Sequence, residues 1–380
     1  MRWQRPKESI GELKSRWRIF EATKPGAETV VTSPRFNSQW RHTNGTLNRM
    51  SYLSIDLDKP GASSGHLIVR EGSDCGELLL PVFSLNRGEG PRLLITGGCH
   101  GNELEGPIVA RRVASWLPEA QTCGRVIILP ELNPLALQAW SRNTPSDGLN
   151  MNRVFPGCAE GSVTERIADA VSRLLLPMAD TVFDLHSFGP MWDFPPSIIT
   201  HPIADAGSMA RTVRMAEAFK LPMTLVWEHQ DTPGMFDTWA HSQGKLFICA
   251  EFGGGTVGSE ALTIYETGMR NALIALGLVE GTAESPTFRQ KKSSQTLETR
   301  ACDELKSPQR GIFEPRCSVL DDVQQGDLIG VLHSRDSLPD GSSDIRAPIA
   351  SIVCAIRSGG YVDFNEEVAL LARQHTLSVG

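Results

Sequence analysis

Histidine and carboxylate side chains occur together where two apolar runs of the sequence end. His100 and Glu103 follow the run Arg92–Thr96 and two glycines, and His186 follows the run Thr181–Leu185. Because α/β folds place ligands at the carboxyl ends of their strands, we expect these three side chains to face one ion. Two imidazoles and one carboxylate are typical of a catalytic zinc site that keeps a position open for water.

Each half of this pattern also has a simpler interpretation. Glu103 could cap a helix beside a surface histidine, and His186 could be a core histidine with its hydrogen bonds satisfied. An all-oxygen magnesium site fits two imidazoles poorly. Cys99 precedes His100 directly, and its position suits core packing.

Glu251 ends a third apolar run, Leu246–Ala250, and three glycines follow closely. Carboxylates are rarely buried without a partner or a function. Beside an activated water, such a group can accept a proton and later deliver it to a leaving nitrogen. The alternative is a glutamate that caps a helix or forms a salt bridge.

A loop without apolar periodicity contains Arg142, Asn152 and Arg153. Arginine binds carboxylates in a bidentate fork and can stabilise a developing oxyanion. The loop therefore predicts a site for an anionic group, although arginines in most loops simply pair with surface acids.

The apolar patterns that surround these residues alternate between strand and helix. This alternation predicts a three-layer α/β fold whose sheet is mostly parallel in its centre. A polar connection over Glu280–Gln309 is expected to lead to a small all-β unit over Gly311–Ala372. The predicted strands are Ser51–Asp58, His66–Arg70, Gly76–Leu85, Arg92–Thr96, Arg125–Leu129, Thr181–Leu185, Met223–Trp227 and Leu246–Ala250. The predicted helices are Leu104–Leu117, Thr164–Met178, Asp205–Lys220 and Leu262–Leu278.

Length and composition narrow the class of protein. A chain of 380 residues suggests two domains, and the 37 basic against 44 acidic residues give a net charge of −7. This balance argues against a primary nucleic-acid binder, which needs a basic face. The sequence contains no apolar run long enough for a transmembrane helix. Its eight cysteines are scattered without a CxxC motif, so we expect free thiols and a cytoplasmic protein that does not act on membranes.

The order of these motifs resembles that of the succinylglutamate desuccinylase/aspartoacylase family of zinc carboxypeptidase-like hydrolases. The resemblance covers residues 45–375, and within the family it points to the deacetylases of Nα-acetyl-2,4-diaminobutyrate in ectoine catabolism. It rests chiefly on the stretches 97–107, 150–157, 176–180, 234–238 and 251–255.

The resemblance implies a role for each candidate residue. The zinc ligands, one ion per subunit, fall on His100, Glu103 and His186. The general acid/base falls on Glu251. The arginine that polarises the carbonyl falls on Arg142, and the pair that holds the free carboxylate of the substrate falls on Asn152 and Arg153.

It also implies a zinc-carboxypeptidase-like domain over residues 46–290 and a barrel-sandwich-like β domain over 291–380, after an N-terminal extension over 1–45. Residues 311–380 contain no lysine, which excludes a biotin or lipoyl carrier. A homo-oligomer is expected for a family of this kind.

The substrate implied is a small N-acyl amino acid with a free carboxylate, such as an N-acetylated diamino acid. The sequence departs from the family pattern at Asn102, which we expect to keep a hydrogen bond near the metal. It also departs at the bulky residues Phe188, Trp192 and Trp227, which we expect to line the substrate pocket. The spare ammonium could bind one of three acids, which are Asp193, Glu228 and Asp231. The competing functions are a metallocarboxypeptidase, a deacylase of another N-acyl amino acid, and a metal-binding regulator or inactive homologue.

Overall fold

The computed structural model describes residues 50–70, 76–228, 233–254, 258–286, 288, 294–335 and 341–375. The predicted extension over 1–45 and the candidate Asp231 lie outside these residues. Among the helices described, none is long and apolar enough to cross a membrane.

Helices and strands alternate through the first two thirds of the described chain, and strands dominate the remainder. The helices are α1 (Glu105–Trp116), α2 (Pro134–Ala139), α3 (Val163–Ala170), α4 (Ala206–Ala218), α5 (Phe236–Ser242) and α6 (Ser259–Ala275). The strands of the first part are β1 (Tyr52–Leu53), β2 (Gly61–Arg70), β3 (Glu77–Asn86), β4 (Arg92–Gly97), β5 (Arg125–Leu129), β6 (Thr181–His186), β7 (Trp192–Asp193), β8 (Pro196–Thr200), β9 (Met223–Trp227) and β10 (Leu246–Phe252). The later strands are β11 (Gln295–Thr299), β12 (Glu304–Lys306), β13 (Gly311–Pro315), β14 (Asp322–Val323), β15 (Leu328–Ser334), β16 (Ser342–Arg346), β17 (Ser351–Arg357), β18 (Gly360–Val362) and β19 (Glu367–Gln374).

One large mixed sheet runs through the molecule in the order β1-β2-β3-β5-β4-β6-β10-β8-β9-β11-β19-β17-β14, and a smaller antiparallel sheet has the order β16-β15-β13-β18. The neighbours β5, β4, β6 and β10 are parallel, which confirms the predicted parallel centre. Strand β8 then pairs with β10 in the antiparallel direction.

Two apolar clusters cover the two faces of this sheet and confirm three layers. On one face of the sheet, side chains of β4, β6 and β10 such as Ile95 and Phe183 pack against α1, α4 and α6. Their neighbours in sequence, such as Leu94 and Val182, pack against α3 and α5 on the other. Side chains of successive strand residues point to opposite faces, so each central strand contributes to both clusters.

Several predicted boundaries were wrong for local reasons. The predicted helix Thr164–Met178 is α-helical only to Ala170; a π turn and a 3₁₀ turn containing Pro177 follow, because proline cannot donate the next helical hydrogen bond. The predicted strand Ser51–Asp58 shrinks to Tyr52–Leu53, because the Asp58 backbone N–H donates to the Asp56 carboxylate in a turn.

The predicted connection Glu280–Gln309 was also wrong in part, since it contains β11 and β12. Strand β11 carries a single strongly apolar residue, Leu297, and therefore gave no apolar run. It pairs in parallel with β9 and antiparallel with β19. The region from Gly311 onwards is all β in its described residues, as predicted, but the large sheet continues into it without a break. The boundary at 290/291 stays a prediction.

Candidate active site

The strands β4, β6 and β10 are neighbours in the centre of the large sheet. Their carboxyl ends bring His100, His186 and Glu251 close together. In the parallel pair β6/β10, Glu251 lies directly opposite His186. His100 follows β4, which pairs with the other side of β6. Gly106 allows α1 to start against β6, because a Cβ there would lie 2.2 Å from the Leu185 carbonyl oxygen. The chain therefore returns close enough for Glu103 to reach both histidines.

The carboxylate of Glu103 lies between the two imidazoles. Its Oε1 is 2.9 Å from Nδ1 of His100, and its Oε2 is 3.0 Å from Nδ1 of His186. All three side chains are buried. Four ligands about 2.0–2.1 Å from a tetrahedral zinc ion lie roughly 3.3 Å from one another, and the distance from each imidazole to Glu103 is near this value.

The hydrogen bonds of His100 fix which of its nitrogens carries the proton. Its Nε2 is 3.1 Å from Oδ1 of Asn150, and that oxygen also accepts a hydrogen bond from the Asn152 backbone N–H. The oxygen is therefore an acceptor, so Nε2 must donate to it. In the neutral imidazole, Nδ1 then presents a lone pair to Glu103.

His186 repeats this arrangement on the neighbouring strand. Its Nε2 donates to Oδ2 of Asp184 at 2.8 Å, while the Thr96 hydroxyl donates to the other oxygen of Asp184. Two imidazole lone pairs and the Glu103 carboxylate thus converge in a buried place. Such a set needs either an extra proton on each ring or a shared cation, so these residues fit a metal ion.

Charge and burial act on these groups in opposite directions. Burial disfavours the charged form of Glu103, but His100 and His186 hold its pKa well below the usual range. Burial lowers the pKa of His100. Burial also opposes the charged form of His186. The charge and hydrogen bond of Asp184 outweigh this effect, so the pKa of His186 lies above its usual value.

Cys99 offers a second possible ligand, because its Sγ lies within 4.8 Å of ligand atoms of His100 and His186. The thiol is fully buried in an apolar cluster, as its position in the sequence indicates. Burial raises the pKa of the thiol, and the carboxylates of Asp184 and Glu103 raise it further. Glu103 is therefore the better candidate for the third ligand.

Glu251 is a half-buried acid with one buried, unsatisfied oxygen. No partner among the described residues donates to Oε2, and Oε1 is 4.0 Å from the Cys249 thiol. Burial raises the pKa of this carboxyl to about 8, and the negative charge of Glu103 contributes in the same direction. A positive charge nearby would favour its carboxylate form.

The cationic loop residues lie on the open side of the site. Arg142 donates to Oε1 of Glu103 at 3.1 Å and keeps half of its side chain exposed. Asn152 uses its side-chain oxygen to accept from the Phe236 backbone N–H at 2.8 Å, which leaves its amide NH₂ as the group that could bind a carboxylate. Arg153 follows it in the same 3₁₀ turn.

A cavity of about 410 Å³ brings all of the predicted site residues together, and Phe188, Trp192 and Trp227 line it as expected. Neither Asp193 nor Glu228 lines it, and Glu228 instead forms an exposed ion pair with Arg300 at 3.4 Å. The proposed hydrogen bond of Asn102 was wrong, because its Oδ1 is buried without a partner among the described residues.

Three histidine or acidic residues of the cavity were missed from the sequence, namely His201, Asp237 and Glu367. His201 follows β8, a short strand that starts with proline and was not predicted. Asp237 belongs to a stretch that carries the family resemblance, which was the available signal. Glu367 comes from β19 in the C-terminal region, and no local pattern connects it with the site.

Comparisons with known proteins show which proteins this chain resembles. Residues 89–276 match the model of the succinylglutamate desuccinylase/aspartoacylase catalytic domain. The chain is 36% identical over 323 residues to the N-alpha-acetyl-L-2,4-diaminobutyric acid deacetylase of Halomonas elongata, covering 84% of this chain and 94% of that protein.

Two solved structures extend the likeness to the whole fold. One is an aspartoacylase family protein from Mesorhizobium loti, with 64% identity and a TM-score of 0.79 over 86% of this chain and 99% of that one. The other is the product-bound ectoine utilization protein EutE (DoeB) from Ruegeria pomeroyi, with 31% identity, a TM-score of 0.79 and the same coverage. The shared catalytic-domain model and the near-complete alignment with the deacetylase place this chain in the succinylglutamate desuccinylase/aspartoacylase family.

Proposed function

We propose that this protein is a zinc-dependent hydrolase that cleaves the amide bond of an N-acyl amino acid. One zinc ion per subunit would be held by His100, Glu103 and His186. The observation that carries the proposal is the convergence of two imidazole lone pairs and a carboxylate in a cavity that also contains Glu251 and two arginines. When bound, the ion would act as a Lewis acid toward water and the acyl carbonyl.

Glu251 is the group we assign to proton transfer. Its buried, unsatisfied oxygen suits a residue that takes a proton from the attacking water and returns it to the departing amine nitrogen. The bound cation would stabilise its carboxylate form, which burial alone disfavours.

The arginines and Asn152 would bind the two ends of the substrate. Arg142 lies beside Glu103 with half of its side chain exposed, so its guanidinium can stabilise the negative charge that develops on the carbonyl oxygen. Asn152 and Arg153 would hold the free α-carboxylate of the substrate.

The relatives support a diamino acid as substrate. A deacetylase of N-alpha-acetyl-L-2,4-diaminobutyric acid and an ectoine utilization protein align with nearly the whole fold. We therefore propose deacetylation of an N-acetylated diamino acid such as Nα-acetyl-2,4-diaminobutyrate. Because Glu367 of the C-terminal region forms part of the cavity wall, the site suits a small substrate better than an extended peptide.

The test is the variant Glu251→Gln, compared with Glu228→Gln at an exposed acid outside the cavity. We expect Glu251→Gln to bind zinc at one equivalent and to lose roughly 10²–10⁴-fold in kcat, because a general acid/base contributes about that much. Amine release is measured from Nα-acetyl-2,4-diaminobutyrate, N-acetylaspartate, N-succinylglutamate and a dipeptide, with and without a chelator. Turnover that survives chelation, or an unchanged kcat in Glu251→Gln, would contradict the proposal.

A further inference from the structure

The proposed mechanism leaves one buried acid of the cavity without a role. Asp237 lies in the first turn of α5, and its side chain is 12% exposed. It lines the same cavity as Glu251, Arg142 and Arg153. Of the other acids that line the cavity, Glu103 and Glu251 have assigned roles and Glu367 is exposed.

The carboxylate of Asp237 is held in place and in its charged form. Its Oδ2 is 3.2 Å from Nδ1 of His201, and its Oδ1 accepts from the Thr238 backbone N–H at 2.6 Å. Burial opposes ionisation, but the hydrogen bond and charge of His201 outweigh it, so the pKa of Asp237 lies below its usual range. Asp237 is therefore an ionised carboxylate that His201 holds in place at the cavity wall.

Asp237 lines the same cavity as the reacting group Glu251. Cys249 lines it too, with its Sγ 4.0 Å from Oε1 of Glu251. A substrate that reacts beside Glu251 therefore occupies the cavity whose wall contains Asp237.

Asp237 is also fixed relative to the proposed carboxylate site. The Phe236 backbone N–H, next to Asp237, donates to the Asn152 side chain, and the Phe155 N–H donates to the Gly234 carbonyl at 2.9 Å. Gly234 has φ +90°, and a Cβ there would lie 2.3 Å from the Arg153 carbonyl oxygen. The turn that carries Asn152 and Arg153 and the start of α5 therefore form one packed unit.

We infer that Asp237, held by His201, is the residue that binds the side-chain ammonium of a diamino acid substrate. A site for a cation at a fixed distance from a site for an anion would select a molecule that carries both charges, and an amino acid without the second amine would lack the charge-assisted hydrogen bond to Asp237. The inference rests on the proposed function and adds to it the residue that determines specificity.

The experiment compares Nα-acetyl-2,4-diaminobutyrate with Nα-acetyl-2-aminobutyrate, which has the same carbon chain without the ammonium. In the wild-type protein we expect kcat/KM to favour the diamino substrate. In Asp237→Asn this preference should fall roughly 10- to 100-fold, the value of one charge-assisted hydrogen bond, through loss of the diamino substrate alone. Glu228→Gln serves as the control and should keep the wild-type preference.

A purely structural role of Asp237 predicts a different result, in which both substrates lose kcat/KM by the same factor. That result, or an unchanged preference, would overturn the inference. A second measurement requires neither turnover nor a folded variant. Calorimetry gives the affinity of the zinc-loaded wild-type protein for the free amino acids. Equal affinity for 2,4-diaminobutyrate and 2-aminobutyrate would also overturn it. If neither acetylated compound is hydrolysed while the wild-type protein binds 2,4-diaminobutyrate more tightly than Asp237→Asn does, the proposed deacetylation of a diamino acid fails and the ammonium site at Asp237 stands.

Discussion

Each candidate metal-binding histidine depends on a second residue that sets the orientation of its ring. Asp184 accepts from Nε2 of His186, and Asn150 accepts from Nε2 of His100. These partners direct both Nδ1 atoms toward Glu103. Neither partner was predicted. A carboxylate two residues before a histidine, such as Asp184, cannot be recognised as its partner from the sequence, because the contact depends on the strand and on the neighbouring Thr96.

We expect Asp184→Ala to lower zinc affinity about 10- to 100-fold, because partners of ligating histidines contribute about that much. Asp184→Asn keeps an acceptor but loses the charge, so it should show a smaller loss. Affinity is measured by competition with a chromophoric chelator. Asp180→Ala, at an exposed aspartate that precedes the same strand, is the matched control. Equal zinc affinity in Asp184→Ala and Asp180→Ala would contradict this role.

The residues at the centre of the site could be predicted from the sequence better than the residues that surround them. His100, Glu103, His186 and Glu251 all end or follow apolar strand runs, and parallel pairing brings such ends together. Asp237 and His201 could not be assigned in the same way, because they meet across α5 and β8, and neither of these short elements was predicted.

At the scale of elements, the loop between α2 and α3 determines where Arg142, Asn152 and Arg153 lie. Asp147 anchors this loop, since its Oδ1 accepts from the Leu149 backbone N–H and its Oδ2 from the Thr164 N–H, both at 3.0 Å. One carboxylate thus joins the loop to the first turn of α3. Elsewhere, strands such as β5 and β6 and helices such as α1 were predicted to within a few residues because their apolar patterns are strong. The short helix α2 was not predicted, and β11 was missed because Leu297 is its single strongly apolar residue.

We expect the anchor at Asp147 to make stability depend on pH on the acid side. Burial disfavours the charge, but hydrogen bonds from Leu149 and Thr164 outweigh this effect and lower the pKa of Asp147. A lowered folded-state pKa stabilises the protein above the ordinary value of about 3.9, and this contribution is lost as pH falls through the folded-state pKa.

Urea unfolding between pH 3 and pH 7, a range chosen around that ordinary value of about 3.9, measures this effect. Asp147→Asn should be less stable than wild type near neutral pH, and the difference should shrink toward the acid end. Asp344→Asn, at an exposed aspartate of β16, is the control for the loss of one acidic group. A difference between Asp147→Asn and wild type that stays constant with pH would contradict the prediction.

At the scale of the whole molecule, the large sheet passes from β9 through β11 into β19 and β17. An apolar cluster spans this passage and contains Met223 and Leu225 together with Leu297, Leu370 and Ala372. The residues that the structure describes belong to one compact unit. We therefore expect the regions before and after residue 290 to unfold together.

The variant Leu370→Ala tests this expectation by calorimetry of the full chain. Removing a buried leucine side chain should cost about 2–5 kcal/mol and shift the whole transition of this unit to lower temperature. Leu79→Ala, at a leucine that is 49% exposed, should change stability much less. A separate transition that alone responds to Leu370→Ala would instead support two independent domains divided near residue 290.

Glu367 reaches the cavity from β19, far along the chain from β4 and β6. During synthesis, the residues proposed to bind zinc leave the ribosome long before this wall of the cavity exists. The order of the chain would thus permit metal uptake by a nascent protein while its substrate pocket is still incomplete. Activity would appear only when the last strand has joined the sheet, so a prematurely terminated product would retain the ion-binding residues without a complete substrate pocket.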